Sequence, residues 1–415
     1  MNVSVVGLGK LGLPLLALLA NSGHSVIGID HSEELLDLLR NGECPYPEPG
    51  LFELLKSGRD HIEYVPSFED VVAKSEVCFV IVPTPSMEDG RFNNAAILEV
   101  CKKIGEALAK HPKIFTVDIV STVMPGSCDG EIRETLENSS GIKFGETLGL
   151  CYNPEFIALG SVIRDMQYPD MQLLGACSDI HAERVESVLT SITRKETPIR
   201  RMNLKEAELV KISVNNFVTM KIAFANMLKE VADNLGDIDI DIVTDAIGLD
   251  SRIGKKYLKA GTPFGGPCFP RDTKALMSLM SSYKGEYSIP ATVDGANASY
   301  QQYLKEQVVS KSSGRSIGIL GLSYKPDTHV IEESPGVKLL EAVNSDGIEV
   351  YGWDPLVKNG VHANLEGLIL DSIDDFIAKT EVVFITRPIP EVDKNKIAQL
   401  LSKNEVIDFW RQIKN

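Results

Sequence analysis

The seven cysteines of this chain, at positions 44, 78, 101, 128, 151, 177 and 268, contain no C-x-x-C pair and form no cluster with histidine. That spacing removes a disulfide framework and a structural zinc site; no metal is expected, and a reducing cytoplasm suits the chain. No run of about 18 uninterrupted apolar residues occurs, so no segment reads as a membrane span. Residues Leu11 to Ala20 resemble a short signal-peptide core, but Lys10 is the only basic residue before them and a glycine pattern explains them better. Positive charge is also scarce: 42 Lys and Arg against 58 Asp and Glu give a formal net charge of -16. The overall field repels phosphate, which argues against nucleic acid or anionic membrane as the main partner, and an anionic small ligand needs a local basic site.

What is present suffices for two or three domains: 415 residues, 43% of them hydrophobic and 24% charged. The N-terminus reads strand, tight turn, helix, strand, with Gly7-Leu8-Gly9-Lys10-Leu11-Gly12 at the turn and Asp30 closing the second strand. This is a dinucleotide-binding fingerprint in its expected context. Gly7 permits the turn, Gly9 lets a pyrophosphate approach the backbone, Gly12 lets helix and strand pack, and Asp30 can accept from the adenosine ribose hydroxyls. Lys10 and Leu11 complete the loop as cofactor contacts. A carboxylate at Asp30, with Glu33 and Glu34 nearby, repels a 2'-phosphate, so the expected cofactor is NAD. Two further strands end in Pro83-Thr84 and Ser121-Thr122, and ligands bind at such carboxyl ends.

From Leu204 to about Leu235 the sequence is one long amphipathic helix, and a second helical stretch covers about Ala291 to Val309 before a Ser/Lys/Gly-rich joint at Lys311 to Arg315. The remainder partly repeats the start: Ser316 to Gly321, Asp346 to Asp354 and Thr380 to Pro388 parallel the strands at Val3, Ser25 and Val77. The expected fold is α/β, two doubly wound Rossmann-like domains joined by a helical central domain with a long helix. The expected boundaries are 1–203 for the NAD-binding domain, 204–312 for the central domain and 313–415 for a second nucleotide-type domain.

Within the central region, Gly265-Gly266-Pro267-Cys268-Phe269-Pro270-Arg271-Asp272 pins a cysteine into a stiff, charged turn. Two glycines let backbone approach a ligand and the prolines stiffen the loop, while charge stands beside the thiol. The other six cysteines, mostly in apolar runs, read as core. Lys211 and Asn215, four apart on the long helix, share one face and can reach one oxyanion.

Assembled, these residues resemble the UDP-glucose/GDP-mannose dehydrogenase family, which oxidises the C6 alcohol of a nucleotide sugar to a carboxylate. The elements occur in family order across nearly the whole chain: the glycine fingerprint, Glu48-Pro49-Gly50-Leu51, Val82-Pro83-Thr84-Pro85, Ser121-Thr122-Val123, Asn153-Pro154-Glu155-Phe156, Lys211 with Asn215, Ser251-Arg252-Ile253-Gly254, the cysteine loop, and Gly321-Leu322-Ser323-Tyr324-Lys325. The resemblance implies that Cys268 is a nucleophile passing through a thiohemiacetal and a thioester between two NAD-dependent oxidations. It implies oxyanion stabilisation by Lys211 and Asn215, base catalysis by Glu155, and orienting roles for Asp272 and Thr122. It implies Lys325 and Lys259 near phosphate and Arg252 on the sugar across a dimer interface, with Phe156, Tyr257, Phe264, Gly265 and Tyr324 lining the substrate. A homodimer or higher oligomer and a place in polysaccharide biosynthesis are implied as well.

The pattern departs from the family at Leu159, where a second glutamate is common, and at Glu332, where a basic cofactor contact is common; Arg271 stands where lysine is frequent and can compensate. The lost glutamate also occurs in branches resembling UDP-N-acetylhexosamine dehydrogenases, so the expected substrate is a nucleotide sugar, a UDP-hexose or a UDP-N-acetylhexosamine, with sugar and base both open at this point. Two other readings stay open at this point: a single-step 3-hydroxyacid dehydrogenase of the 6-phosphogluconate type, which needs no cysteine loop, and a catalytically silent nucleotide-sugar or NAD sensor.

Overall fold

The computed structural model describes residues 1–145, 147–283, 288–360 and 363–413. It contains two compact units, Met1–Ile212 and Ser213–Asn415. No helix among the described residues is long and apolar enough to cross a membrane.

The first unit is built on strands β1 (Asn2–Val6), β2 (Ser25–Ile29), β3 (Ile62–Tyr64), β4 (Val77–Val80), β5 (Phe115–Ile119), β6 (Leu148–Tyr152), β7 (Gln172–Ala176) and β8 (Ile199–Met202). They form one sheet in the order β3-β2-β1-β4-β5-β6-β7-β8, parallel throughout except for the β6–β7 pair. The order reverses between β1 and β4, and a crevice opens at the carboxyl ends of strands where order reverses. Helices cover both faces of such a sheet, so β4 and β5 are wholly buried; β4 is apolar throughout, whereas β5 buries Thr116 and Asp118 between Phe115, Val117 and Ile119. Polar residues inside the sheet need partners. Ser4 has the Ser75 hydroxyl at 2.9 Å and Thr116 has His181 Nδ1 at 2.6 Å, whereas neither oxygen of the buried Asp118 on β5 has a hydrogen bond.

The helix Leu204–Leu235 supplies residues up to Ile212 to the first unit and the rest to the second. Its start is fixed by a reciprocal cap, Asn203 Oδ1 accepting from Glu206 N and Glu206 Oε2 accepting from Asn203 N. Its end is fixed by Gly236 at φ +72°. In the second unit follow the helices Ile240–Leu249, Phe269–Ser282 and Ile289–Ser312. The last of these begins two residues before the apolar pattern because Ser288 Oγ accepts from Ala291 N and Pro290 occupies the first turn.

Strands β9 (Ile317–Leu320), β10 (Val350–Trp353), β11 (Val382–Ile385) and β12 (Glu405–Asp408) then make a fully parallel sheet in the order β10-β9-β11-β12. It repeats the first sheet in detail. Asp30 accepts from Leu8 N at 2.7 Å and Ser32 N at 2.9 Å, and Asp354 accepts from Leu322 N at 2.8 Å and Leu356 N at 2.8 Å. In each sheet the acid after the second strand clamps the turn after the first.

Candidate active site

In the first unit the glycine loop connects β1 to the helix Gly12–Asn21. Gly7 sits at φ +91°, and a Cβ there would collide with the Ile81 carbonyl. A Cβ on Gly12 would collide with the Gly7 carbonyl, whereas one on Gly9 would meet nothing within 4 Å. The loop is therefore tight where strand and helix meet and open above Gly9. No side chain caps the helix and no acid lies in its first turn, which leaves an N-terminus suited to a pyrophosphate. Exposed Lys10 and half-buried Leu11 flank the opening. These residues fit NAD; Asp30 has one oxygen engaged by Leu8 N and the other by Ser32 N, and each carboxylate oxygen can accept again.

The ends of β4 and β5 are tied together. Thr84 Oγ1 donates to the Thr122 carbonyl at 2.8 Å, and Ser121 Oγ donates to the Val82 carbonyl at 2.7 Å while accepting from Val82 N at 2.9 Å. Pro83 is exposed beside them. After β6 the chain leaves the sheet through the buried Asn153 and Pro154, and Glu155 and Phe156 follow half-buried. Lys211 Nζ donates to the Glu155 carbonyl at 2.6 Å and stands 4.5 Å from the centre of the Phe156 ring. Burial pushes the Glu155 carboxyl up to about 7, against the Lys211 ammonium, which pulls it down. A carboxyl there titrates near neutrality, where a general base works best.

Three carboxylates that the sequence did not single out for roles matter to this region. Glu48 accepts from Gly160 N at 3.2 Å and Ile163 N at 3.3 Å, bracing the segment after Glu155. Glu208, fully buried on the long helix, accepts from Gly126 N and Cys128 N at 2.5 and 2.7 Å, holding the turn after β5. Asp118 is held well above the usual carboxylate range by burial first and by the Glu155 charge second. Leu159, where the family commonly has glutamate, packs against the apolar core of this unit.

In the second unit Cys268 is exposed and stands at the N-cap position of the helix Phe269–Ser282 without a capping side-chain hydrogen bond, with Pro270 in its first turn. Of the other cysteines, 78, 101, 128 and 151 are buried and 44 and 177 half-buried. A thiol at a helix N-terminus has its thiolate favoured. One turn on, Asp272 is 2% exposed and accepts from Asn215 Nδ2 at 2.6 Å, and its backbone carbonyl accepts from Asn216 Nδ2 at 3.0 Å. Arg271 Nε lies 3.7 Å from Asp272 Oδ1. The thiol and the carboxylate thus share the first turn of one helix, and the amide reaches that carboxylate from the long helix.

The two glycines before the cysteine also make room for neighbouring protein. Gly266 is at φ +81° with the Tyr324 ring where its Cβ would be, and a Cβ on Gly265 would strike the Glu333 carbonyl. Phe264 is buried, its backbone N–H and carbonyl both bonded to Asn297. Tyr257, at φ +62°, sets its ring edge-on to Phe269 with centroids 6.2 Å apart. Lys325 Nζ is 5.9 Å from the Tyr324 ring, Lys259 Nζ is 4.0 Å from Asp241, and the largely exposed Arg252 is held by Asp250 at 2.6 Å. Glu332 is exposed. Arg252, Tyr257 and Lys259 form no cluster with Lys325 through any of these contacts.

Two nucleotide-type sheets, a loop that fits NAD and an exposed thiol beside an amide–carboxylate pair define an NAD-binding oxidoreductase. Three family models match in sequence: the NAD binding domain of the UDP-glucose/GDP-mannose dehydrogenase family over residues 1–193, its central domain over 205–299 and its UDP binding domain over 318–415. The chain is 31% identical to the GDP-mannose 6-dehydrogenase of Pseudomonas aeruginosa over 401 residues, 93% of this chain and 91% of that protein. It is 29% identical to a UDP-glucose 6-dehydrogenase of Haloferax volcanii over 93% of this chain and 90% of that one. A solved UDP-glucose dehydrogenase from the archaeon Pyrobaculum islandicum superposes with a TM-score of 0.88 at 30% identity, covering 99% of this chain and 94% of that one. The chain belongs to the UDP-glucose/GDP-mannose dehydrogenase family and is, at that level, an NAD-dependent nucleotide-sugar dehydrogenase.

Proposed function

We propose that this protein oxidises the C6 alcohol of a UDP-hexose or UDP-N-acetylhexosamine to the uronic acid in two successive oxidations on Cys268. The observation that carries the reading is the exposed Cys268 at the start of the helix Phe269–Ser282, with Asp272 one turn on holding the Asn215 amide at 2.6 Å. NAD, when bound along the loop of Gly7, Gly9, Lys10, Leu11 and Gly12 with Asp30, accepts a hydride, and two molecules in turn take up the four electrons. Pro83, Thr84, Ser121, Thr122 and Arg271 complete its contacts.

After the first oxidation the Cys268 thiolate adds to the aldehyde carbon and the carbonyl oxygen takes a proton, giving a thiohemiacetal. Loss of that proton in the second oxidation leaves a thioester. Lys211 and Asn215 steady the negative oxygen in each step. Glu155 takes a proton from water, oriented by Thr122 and Asp272, as the hydroxide attacks the thioester; the carbon–sulfur bond breaks and the thiolate returns. A carboxyl at about 7 suits that task at neutral pH. Lys325 and Lys259 meet phosphate, Arg252 reaches the sugar of a neighbouring subunit, and Phe156, Tyr257, Phe264, Gly265 and Tyr324 line the substrate.

On this reading residues 1–203 bind NAD, 204–312 carry the thiol and the self-association surface, and 313–415 hold the nucleotide. The protein works in the cytoplasm as at least a dimer and supplies precursors to polysaccharide. The test is to incubate it with NAD and a panel of UDP- and GDP-sugars and count NADH formed per sugar consumed. Two NADH per uronate is expected from one sugar; a ratio of one removes the double oxidation, and no turnover with any sugar removes the activity. In Cys268→Ala uronate formation disappears, and an unchanged uronate yield would remove the thioester.

A further inference from the structure

The turn between β9 and the helix Pro335–Ser345 contains Lys325 and bears on the cysteine loop at two points. Tyr324 Cε2 lies 2.6 Å from where a Cβ on Gly266 would stand, so only glycine fits beneath the ring. The Glu333 carbonyl and Pro335 Cδ occupy the corresponding space at Gly265. Cys268 follows two residues later, with Pro267 between, so little slack separates the pressed backbone from the thiol.

The turn itself is held under strain. Asp327 and Glu333 are non-glycine residues at φ +59° and +52°, a left-handed conformation in which the Cβ crowds the following carbonyl. Its base is fixed: Leu322 N and Ser323 N donate to Asp354 Oδ2, and Tyr324 N donates to the Val330 carbonyl at 3.0 Å. Ser323 Oγ donates to the Lys325 carbonyl at 3.0 Å, joining the lysine to the clamped end. A third left-handed residue, Tyr257 at φ +62°, bears on the other side of the cysteine through Phe269. Left-handed non-glycine residues collect where a surrounding structure over-determines the backbone, commonly at functional sites.

We propose that Tyr324 and Glu333 are positioning residues for the Cys268 thiol, through which a nucleoside diphosphate seated at Lys325 sets where the thiol stands. The proposal rests on the reading of Cys268 as nucleophile and Lys325 as a phosphate contact. Neither residue touches the reacting carbon; each acts through the glycine it covers. A nucleotide that draws Lys325 towards its phosphates moves Tyr324, the adjacent residue, and the ring carries Gly266 with it. The thiol is then in place only when the nucleotide half of the substrate is held.

The test measures alkylation of Cys268 by iodoacetamide in the full-length protein, followed by peptide mass spectrometry, with and without saturating UDP or GDP. Nucleotide binding is measured separately by calorimetry. The expected result is a change in alkylation rate on the order of fivefold on binding, kept in Tyr324→Phe and lost in Tyr324→Ala and Tyr324→Leu at saturation of each variant. Glu333→Gly, which relieves the strain and loosens the contact on Gly265, reduces the change. In turnover, Tyr324→Leu lowers kcat more than it raises the KM for the nucleotide sugar. Binding without any change in alkylation overturns this proposal and leaves the proposed activity standing. Equal protection in wild type and Tyr324→Ala also overturns it, since direct shielding then accounts for the effect. Failure of both nucleotides to bind overturns the proposal together with the nucleotide site.

Discussion

Asn215 Nδ2 donates to Asp272 Oδ2 at 2.6 Å, and Asp272 is buried one helical turn after Cys268. The carboxylate fixes which way the amide points, because an amide nitrogen can donate and its oxygen cannot. With one N–H of that nitrogen held by Asp272, its second N–H is the donor left for the substrate oxygen in the proposed chemistry. Asp272→Asn replaces a charge-assisted bond with a neutral one and lets the Asn215 amide flip, at a cost of about 1–3 kcal/mol. The expected outcome is a fall in kcat of roughly 10- to 100-fold with NAD affinity unchanged, read by steady-state kinetics and by cofactor titration. A loss confined to NAD affinity removes the pair from the chemistry.

On the proposed mechanism Glu155 gives the activity its acid limb. Its carboxyl titrates at about 7 and works as a base only when ionised. Turnover is therefore expected to fall roughly tenfold per pH unit below that value. The Lys211 ammonium is the influence that lowers it, so residual activity in Lys211→Ala has its limb displaced to higher pH. Glu155→Gln is expected to accumulate an acyl group on Cys268, visible as a mass increase of the intact protein after mixing with NAD and substrate. A limb that stays in place in Lys211→Ala assigns it to another group.

Much of this architecture was legible in the residues themselves. Gly7, Gly9 and Gly12 are spaced by what the turn, the opening and the helix contact each require, and the spacing survives in one sequence. The long helix is equally plain, since nothing between Leu204 and Leu235 interrupts it. Gly265 and Gly266 hide a second use, because a glycine that makes room for a ligand and one that makes room for Tyr324 look the same in sequence. Glu208 and Asp118 were hidden for a different reason. A carboxylate on a helix or strand is ordinarily solvated, and only three-dimensional placement shows the first holding two backbone N–H groups and the second holding none.

Asp118 makes a prediction about stability. Its folded-state carboxyl is raised by burial, while in the unfolded chain it titrates near 3.9. Between those two values the unfolded state has lost a proton that the folded state keeps, so this group's contribution to stability falls as pH rises through that window. Asp118→Val removes both the titration and the two unpaired oxygens and suits a buried strand. Its melting temperature is expected to exceed that of wild type by roughly 2–4 °C at pH 8, with a smaller margin at pH 5, in parallel thermal scans. A margin independent of pH means that the carboxyl keeps the same charge folded and unfolded.

The long helix leaves an apolar stripe uncovered. Phe217, Phe224 and Val231 recur every seven residues at 60%, 45% and 47% exposure, with Met227 and Leu235 beside them at 47% and 71%. Residues seven apart on a helix lie on nearly one face. A row of large apolar side chains at that exposure suits the self-association proposed above, since a second copy would present the same row for a two-fold contact. Phe217→Glu with Phe224→Glu places two charges on each side of such a contact, where like charges face each other across the symmetry axis. Light scattering after size exclusion is expected to give at least twice one chain's mass for wild type and a single chain's mass for the double variant. The melting temperature of the variant serves as the control for folding. A wild type that already elutes as one chain ends the dimer and, with it, the role of Arg252 in a neighbouring subunit's site.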